Sequence, residues 1–361
     1  MTVTLLFGIF GIGGFPSVEL LSPAVLPPRG IAAAWSGDSI GGMPIDAKVQ
    51  AILDAAKARG GKPMEQKTPE ELRAERAEMM ARFVPMPEYA GVRVEQRIIV
   101  VDDEAAGGRE IAVRIYRPAG VSGRLPVVVY FHGGGFVMGT LDTHDPYCRG
   151  LATEAGAIVV SVDYRLAPEH KFPAGVEDCL AATEWVLEHV GELGGDERRV
   201  FVAGDSAGAT MATVSALLLR NRGDAGRLAG QILLYPVAGY CDPPTASYVE
   251  MATGYGLTRS GMEWLWGQYL NHRDEAKDFR AAPLMAESLA GLPRAFVVTA
   301  EYDVLRDEGQ AYARRMEAEG VEVTHVFAEG MNHAFAASAD EFPFLPQAKE
   351  MLRRVGAWIA W

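Results

Sequence analysis

Apolar and polar residues follow two different patterns along the chain, and each pattern predicts one type of strand. Residues 92–101 and 110–116 alternate between apolar and polar, which predicts two strands buried on one face and joined by a hairpin turn at Gly107-Gly108. Later segments are short, almost wholly apolar runs, as expected for strands of a parallel sheet that is covered on both faces. These runs comprise residues 127–131, 157–162, 200–203, 231–235, 295–300 and 321–327.

Segments with apolar residues at helical spacing lie before and between these runs. The first predicted helix, residues 47–58, ends at Gly60-Gly61, and the second, residues 68–83, begins at an N-cap threonine followed by Pro69. Strands that alternate with helices predict an α/β fold with a mostly parallel central sheet of about eight strands, helices on both faces, and the first two strands as an antiparallel edge. Further helices are predicted at residues 143–155, 206–221 and 345–358.

One connection is too long for a simple crossover between strands. About 60 residues separate the run that ends near Tyr235 from the one that starts at Ala295, and they include the aromatic-rich helical stretch GMEWLWGQYL. We expect this insertion, residues 238–285, to form a helical cap together with N-terminal helices in residues 43–90. The α/β body would then comprise residues 91–237 and 286–361.

The first 42 residues differ in composition from the rest of the chain. Val3–Phe15 is an uncharged apolar run of 13 residues, shorter than the roughly 20 apolar residues that a membrane-spanning helix needs. It resembles the apolar part of a signal peptide, but no Lys or Arg precedes it and a long Pro-rich segment follows it. We therefore expect an N-terminal extension of unknown role, no integral membrane span, and a cytoplasmic location rather than secretion.

Composition and charge exclude several classes of function. Hydrophobic residues make up 49% of the 361 residues and charged residues 22%, which are ordinary values for a globular protein. The 47 acidic and 34 basic residues give a net charge of −13, which argues against nucleic acid and anionic membranes as partners. The three cysteines form no C-x-x-C pair, and the seven histidines include no metal-binding spacing, so we expect a reducing compartment and no metal.

A candidate nucleophile lies at the junction of a predicted strand and a predicted helix. The sequence Gly204-Asp205-Ser206-Ala207-Gly208 directly follows the strand RVFVAG and directly precedes the helical stretch ATMATVSALLLR. A G-x-S-x-G in this context is typical of a nucleophile elbow, in which the serine hydroxyl is exposed on a strained turn. The helix N-terminus behind the serine places partial positive charge where negative charge would develop.

A glycine-rich loop, His132-Gly133-Gly134-Gly135-Phe136, directly follows another predicted strand. Glycines at a strand end allow backbone N–H groups to approach a ligand closely, as an oxyanion hole requires. The N–H groups of Gly134 and Gly135, together with that of Ala207, are the candidate donors. A phosphate cradle would show a G-x-x-x-x-G-K-S/T or G-x-G-x-x-G sequence, and neither is present here.

A nucleophilic serine needs a base, and the base needs a carboxylate that orients it. Three acids, Glu301, Asp303 and Asp307, follow the predicted strand AFVVTA, and Asp303 is best placed at the strand tip. His333 lies after the last predicted strand, in the sequence GMNHAF, whereas His325 lies within that strand and is interpreted as structural. The chain order serine, acid, histidine is the order of the α/β-hydrolase arrangement.

In these motifs the sequence resembles the bacterial hormone-sensitive-lipase-like carboxylesterases, which are family IV of the α/β-hydrolase superfamily, and within them the GDSAG branch. The resemblance implies a Ser206–Asp303–His333 triad, an oxyanion hole made by Gly134, Gly135 and Ala207, and a helical cap. It also implies hydrolysis of short-to-medium acyl esters without a cofactor, with a small-molecule ester as partner, in a chain that often forms homodimers. The motifs that carry the resemblance are HGGGF (132–136), LDTHDPYCRGLA (141–152), DYRLAPEHKFPA (163–174), GDSAG (204–208), LLYPV (233–237), AEYDVLRDEG (300–309) and GMNHAF (330–335).

Three residues inside these motifs, Phe136, Asp205 and Tyr235, are expected to border the substrate. The sequence also departs from the family pattern: Ala209-Thr210 stands where Gly-Asn is frequent, and Val304 and Ala334 stand beside the predicted acid and base.

Three alternatives stay open. They are another hydrolase on the same machinery (amidase, lactonase, thioesterase or aminopeptidase), a small-molecule receptor on the same scaffold, and an enzyme attached to a membrane through residues 3–15.

Overall fold

The computed structural model of the chain describes residues 43–81, 86–101, 108–337 and 345–361. The predicted N-terminal extension, residues 1–42, lies outside the described residues, as does all of the predicted hairpin turn except Gly108. Among the described residues, no helix combines the length and the apolar character needed to cross a lipid bilayer.

The centre of the molecule is an eight-stranded sheet with the strand order β1-β2-β4-β3-β5-β6-β7-β8. β1 pairs antiparallel with β2, and β2 pairs antiparallel with β4, while the remaining neighbours are parallel. The predicted α/β-hydrolase sheet with an antiparallel edge is therefore confirmed. The strands are β1 (Arg93–Val101), β2 (Arg109–Arg117), β3 (Leu125–Phe131), β4 (Ile158–Asp163), β5 (Gly195–Asp205), β6 (Gly230–Leu234), β7 (Ala295–Tyr302) and β8 (Val323–Asn332).

Nine α-helices lie in the described part of the chain, and the predicted ones are present. At the start of α2, Thr68 and Glu71 exchange hydrogen bonds between side chain and backbone, which satisfies two helix-terminal N–H groups. We made no prediction for α4, although Val176, Cys179 and Val186 give its sequence a helical spacing. The helices are α1 (Ala47–Arg59), α2 (Pro69–Ala81), α3 (Asp145–Ala155), α4 (Ala174–His189), α5 (Ala207–Asn221), α6 (Ala246–Glu250), α7 (Arg259–Tyr269), α8 (Arg306–Ala318) and α9 (Pro346–Ala360).

The core is densest around the central strands and α5. Residues 127–131 of β3 are completely buried, as the continuous apolar run predicts. α5 packs on β3, β5 and β6 and is buried along nearly its whole length. Burial of so much apolar surface holds the first turn of α5, and with it the end of β5, in one position relative to the sheet.

The long segment between β6 and β7 contains α6, α7 and two short 3₁₀ turns. Two of its aromatic residues are buried against the glycine-rich loop: Tyr269 stacks on Phe136 with ring centres 4.0 Å apart, and Trp266 lies 5.7 Å from the same ring. α7 thereby packs directly on the glycine-rich loop that follows β3. The aromatic-rich stretch thus forms part of the core next to that loop.

Candidate active site

Ser206 occupies a strained turn between β5 and α5. Its φ is +53°, a left-handed value that a residue with a side chain adopts at an energetic cost. A Cβ on Gly204 would lie 2.3 Å from Gly208, and one on Gly208 would lie 2.0 Å from the carbonyl oxygen of Phe131. Both glycines of the G-x-S-x-G are therefore required by close backbone packing, which explains the pattern found in the sequence.

Asp303 and His333 are brought together by the pairing of β7 with β8. A register shift near the end of this parallel pair makes Tyr302 and Asn332 partners, so the residues that follow them lie side by side. The His333 Nδ1 is 2.7 Å from Oδ2 of Asp303, and its Nε2 is 2.9 Å from Oγ of Ser206. The structure thus joins the three predicted triad residues in one chain of hydrogen bonds.

The two competing acids have other partners. Glu301 accepts a hydrogen bond from the Gly330 N–H at 2.8 Å. Asp307 lies in the first turn of α8, where it accepts from the Ser247 N–H at 2.7 Å. Asp303 is almost completely buried, and its other oxygen accepts from the Leu305 N–H at 2.9 Å. The choice of Asp303 among the three acids follows from which carboxylate faces the imidazole.

The glycine-rich loop after β3 presents backbone donors beside Ser206. Gly134 and Gly135 have φ values of +123° and +60°, and a Cβ on Gly134 would lie 2.0 Å from the carbonyl oxygen of Met138. Within residues 108–337, no acceptor is bonded to the N–H of Gly134, Gly135 or Ala207. Three unpaired donors at the serine can stabilise negative charge on a carbonyl oxygen.

Asp205 holds this loop against the nucleophile elbow. Its Oδ1 accepts from the Tyr130 hydroxyl at 2.6 Å and from the Gly133 N–H at 2.9 Å, and it lies 3.3 Å from the His144 imidazole. Burial alone would raise the pKa of Asp205, but His144, Tyr130 and the Gly133 N–H together lower it. Asp205 is thus a buried carboxylate whose partners fix the loop that carries the oxyanion donors.

His132 supports the start of the glycine-rich loop. It is completely buried and stacked on Tyr164 with ring centres 4.4 Å apart. Burial, reinforced by His144, lowers the pKa of His132 to about 4, so its imidazole is neutral at physiological pH. The Tyr164 hydroxyl donates to the His132 carbonyl oxygen at 2.7 Å, which fixes the start of the glycine-rich loop.

Arg73, on α2, was not found from the sequence. Its Nε donates to the carbonyl oxygen of Val137 and its Nη2 to that of Ala167, both at 2.8 Å. The same guanidinium binds both oxygens of Glu169, at 2.7 and 2.8 Å, which lowers the pKa of Glu169 to about 2. Arg73 thereby ties α2 to the residues that follow the oxyanion loop. An arginine on an amphipathic helix gives no sequence signal for such a contact.

The end of β8, which precedes His333, is held from two sides. Gly330 donates to Glu301, while its carbonyl oxygen accepts from the Asp46 N–H at 2.9 Å. The Asp46 carboxylate in turn accepts from Gln347 at 2.9 Å. These contacts, which the sequence did not predict either, connect the start of α1 to the residues beside the candidate base.

A cavity of about 300 Å³ opens onto Ser206 and His333. Asp205 lies in its wall, but Phe136 and Tyr235, also expected to border the substrate, are not among the lining residues. Both are almost fully buried: Phe136 packs against Tyr269, and Tyr235 contacts the edge of the His333 ring at 5.0 Å between ring centres. Their contact with substrate stays a prediction. The apolar part of the wall comprises Ile52, Leu53, Ala56, Met64, Met79, Met138, Leu257, Met262, Leu265 and Ala334.

Backbone strain is concentrated around this cavity. The four non-glycine residues with positive φ in the described part of the chain are Phe136, Ser206, Tyr235 and Ala334. Each lies within, or directly beside, the residues of the triad or the oxyanion loop. Ala334 has φ +70°, a left-handed value that favours glycine. Across the residues that the structure describes, no group of three His, Cys, Asp or Glu residues could hold a metal ion.

Comparison with known proteins agrees with this geometry. A family profile described as alpha/beta hydrolase fold matches residues 128–337. Carboxylesterase NlhH of Mycobacterium tuberculosis is 43% identical over 260 residues, which are 71% of this chain and 80% of that protein. Carboxylic ester hydrolase LipN of the same organism is 36% identical over 326 residues, covering 88% of this chain and 84% of that protein.

Solved structures give the same assignment. The crystal structure of a thermostable esterase from Pseudomonas putida superimposes with a TM-score of 0.82 at 39% sequence identity, covering 90% of this chain and 98% of that one. A hyperthermophilic esterase from Pyrobaculum calidifontis superimposes with a TM-score of 0.78, also at 39% identity, covering 88% and 98%. The chain therefore belongs to the α/β-hydrolase family, in the hormone-sensitive-lipase-like branch that its motifs resemble.

Proposed function

We propose that the protein is a serine carboxylesterase that hydrolyses short-to-medium-chain acyl esters through an acyl-enzyme. The observation that carries the proposal is the hydrogen-bonded chain Ser206–His333–Asp303, which faces unpaired backbone donors across an apolar cavity. Relatives named as carboxylesterase, carboxylic ester hydrolase and esterase support it.

Each group of the site has a defined role in the proposed reaction. His333 Nε2 takes the proton of Ser206 Oγ as this oxygen attacks the ester carbonyl, and Asp303 stabilises the imidazolium and keeps its Nδ1 proton in place. The oxyanion of the tetrahedral intermediate accepts hydrogen bonds from the N–H groups of Gly134, Gly135 and Ala207. His333 then protonates the departing alcohol. A water molecule repeats the sequence, releasing the acid and restoring Ser206.

The size and lining of the cavity favour small acyl groups. A volume of about 300 Å³ is at the lower end of the range for ligand pockets. Its walls come from α1, α2 and the insertion as well as from the α/β body. We therefore propose that residues 43–90 and 238–285 act as the cap that reads the substrate, over a catalytic body of residues 91–237 and 286–361.

A cytoplasmic location and a homodimer are further parts of the proposal. The three cysteines, Cys148, Cys179 and Cys241, are all buried free thiols, as expected in a reducing compartment.

Amide, thioester and lactone hydrolysis use the same nucleophile and differ in the leaving group. A receptor without catalysis is disfavoured because His333 is present and bonded to Ser206.

The test is hydrolysis of p-nitrophenyl esters from acetate to palmitate by the wild type, Ser206→Ala and a control, Ser215→Ala. Ser215 lies on α5 and bonds only within that helix, so its removal leaves the triad intact. We expect activity on the shorter esters that falls by about 10⁴-fold or more in Ser206→Ala and persists in Ser215→Ala. Equal release by the wild type and Ser206→Ala, or none from any ester, would contradict the proposal.

A further inference from the structure

A second histidine, His144, borders the catalytic cavity and has no role in the proposed reaction. It directly precedes α3 and lies in the cavity wall together with Ser206 and His333. Its side chain is only 8% exposed, so its ring nitrogens depend on hydrogen-bond partners within the protein. The partners of these two nitrogens therefore indicate how many protons the ring carries.

Both ring nitrogens of His144 face oxygen atoms that are available only as acceptors. Nε2 lies 3.3 Å from Oδ1 of Asp205, a carboxylate oxygen. Nδ1 lies 2.9 Å from Oγ1 of Thr143, and this hydroxyl donates its single proton to the carbonyl oxygen of Thr140, also at 2.9 Å. Each nitrogen of His144 therefore has to donate, which requires a proton on both and makes the ring an imidazolium.

Several other titratable groups surround the pair formed by His144 and Asp205. The ring of His132 is stacked near that of His144 with centres 5.6 Å apart, and burial together with repulsion by His144 lowers the pKa of His132 to about 4. On the segment of His144 itself, Asp142 and Asp145 are paired with arginines. The neutral His132 thus leaves the positive charge to His144, which faces Asp205. The remaining groups are Tyr130, Tyr147 and, in the cavity wall, Arg59, Arg76 and His333.

The charge of Asp205 matters because this carboxylate lies in the same cavity wall as the glycine-rich loop. An uncompensated carboxylate there would repel the oxyanion that forms during the reaction, since charges interact strongly where water is largely excluded. An imidazolium 3.3 Å away offsets this charge. It does so while Asp205 stays ionised and continues to accept from the Gly133 N–H.

We propose that His144 is a positioning residue of the esterase, whose imidazolium compensates the buried carboxylate of Asp205 and thereby lowers the energy of the oxyanion. The assignment rests on the proposed ester hydrolysis at Ser206. His333 must be neutral to act as the base, whereas His144 must keep its positive charge. The pH profile of kcat should therefore have an acid limb that belongs to His333 and an alkaline limb that belongs to His144.

The test is the pH dependence of kcat for p-nitrophenyl butyrate, measured from pH 5 to 9 in the wild type, His144→Gln and a control, His189→Gln. Glutamine keeps an N–H donor for Asp205 but carries no charge at any pH. His189 lies in the last turn of α4, next to the carbonyl oxygen of Trp185 and outside the cavity wall. We expect His144→Gln to lower kcat at pH 7 by about tenfold and to abolish the alkaline limb, and His189→Gln to keep both limbs.

A purely structural role of His144 would lower kcat by the same factor at every pH. A wild type without an alkaline limb, or a limb that is unchanged in His144→Gln, overturns the inference but leaves the esterase assignment intact. Thr143→Val is the second variant if His144→Gln does not fold. It keeps the imidazole and removes the acceptor of its Nδ1 proton, so the alkaline limb should move to lower pH. An unmoved limb in Thr143→Val also overturns the inference.

Nuclear magnetic resonance of Ser206→Ala keeps the inference testable if no ester is hydrolysed. The ¹⁵N shifts of imidazole nitrogens distinguish a ring that carries two protons from one that carries a single proton. Adding His144→Gln or Thr143→Val to Ser206→Ala identifies the signals of His144, which we expect to be those of an imidazolium at pH 7. A neutral His144 at pH 7 overturns the inference whatever the outcome for catalysis.

Discussion

Replacing Arg73 by Met should weaken both the fold and the reaction, because one side chain joins α2 to the loop that carries the oxyanion donors. The substitution keeps the aliphatic part of the side chain but removes the guanidinium and its donors to the carbonyl oxygens of Val137 and Ala167. It also removes the ion pair with Glu169, whose side chain is 46% exposed.

The magnitude follows from these contacts. Each hydrogen bond from a charged donor contributes about 1.5–3 kcal/mol, and water can replace part of it where the guanidinium is exposed. The exposed ion pair with Glu169 adds at most about 1 kcal/mol. We therefore expect Arg73→Met to lower the free energy of unfolding by about 3 kcal/mol. Glu169→Gln, which retains both carbonyl bonds, should lower it by less than about 1 kcal/mol.

Arg73→Met should affect the reaction by changing the position of Gly134. The N–H groups of Val137 and Met138 donate to the Gly134 carbonyl oxygen at 3.2 and 2.9 Å, so displacement of Val137 tilts an oxyanion donor. We expect Arg73→Met to lower kcat for p-nitrophenyl butyrate by about tenfold, since oxyanion stabilisation acts in the transition state. KM should change less than kcat, and Arg73→Lys should restore part of kcat.

Urea unfolding and steady-state kinetics on the same preparations test both effects. A free energy of unfolding for Arg73→Met within about 0.5 kcal/mol of the wild type would refute the structural reasoning. Equal losses in Arg73→Met and Glu169→Gln would show that the ion pair, rather than the carbonyl bonds, is responsible. A change in KM alone would place Arg73 in substrate binding instead of in positioning the loop.

Two further predictions concern the oxyanion loop and a buried acid. Gly134→Ala should lower kcat by about 10²-fold or more, because its methyl group would lie 2.0 Å from the Met138 carbonyl oxygen; near-normal kcat in this variant would contradict the assignment of the donor. Glu308 accepts from the N–H groups of Ala238 and Gly239, yet burial raises its pKa to about 8, from 4.5 for a glutamate in water. Between these values the unfolded chain loses the proton first, so wild-type stability should fall as pH rises, by up to about 1.4 kcal/mol per pH unit. Glu308→Gln should remove this slope in urea unfolding at pH 5 to 8, and equal slopes in the two proteins would refute it.

Local patterns in the sequence were sufficient to predict the strands and helices that hold the candidate triad. The apolar run of β3 and the sequence before Ser206 predict strands because burial on both faces requires every position to be apolar. The glycines at 204 and 208 are visible as a motif because close backbone contacts exclude any side chain there. The order of serine, acid and histidine along the chain then limited the candidates to a few residues.

The choice among those candidates depended on contacts between distant segments. Asp303 differs from Glu301 and Asp307 only in which carboxylate faces His333, and the register between β7 and β8 decides this. The strand β8 also continues to Asn332, beyond the apolar run that predicted it, because its last residues pair with Tyr302 at the end of β7.

Phe136 and Asp205 also show what the sequence reveals and what only the tertiary structure decides. Both lie in recognisable motifs, which suggested contact with substrate, but the sequence does not show which neighbours cover them. Packing against Tyr269 buries Phe136, and Tyr130 and Gly133 engage Asp205. The sequence by itself determined the strands, most of the helices and the candidates for the reactive residues, since these follow from periodicity and local backbone geometry. Only the tertiary structure decided which side chains face the cavity and which hold the loops around it, because those contacts join segments far apart in the chain.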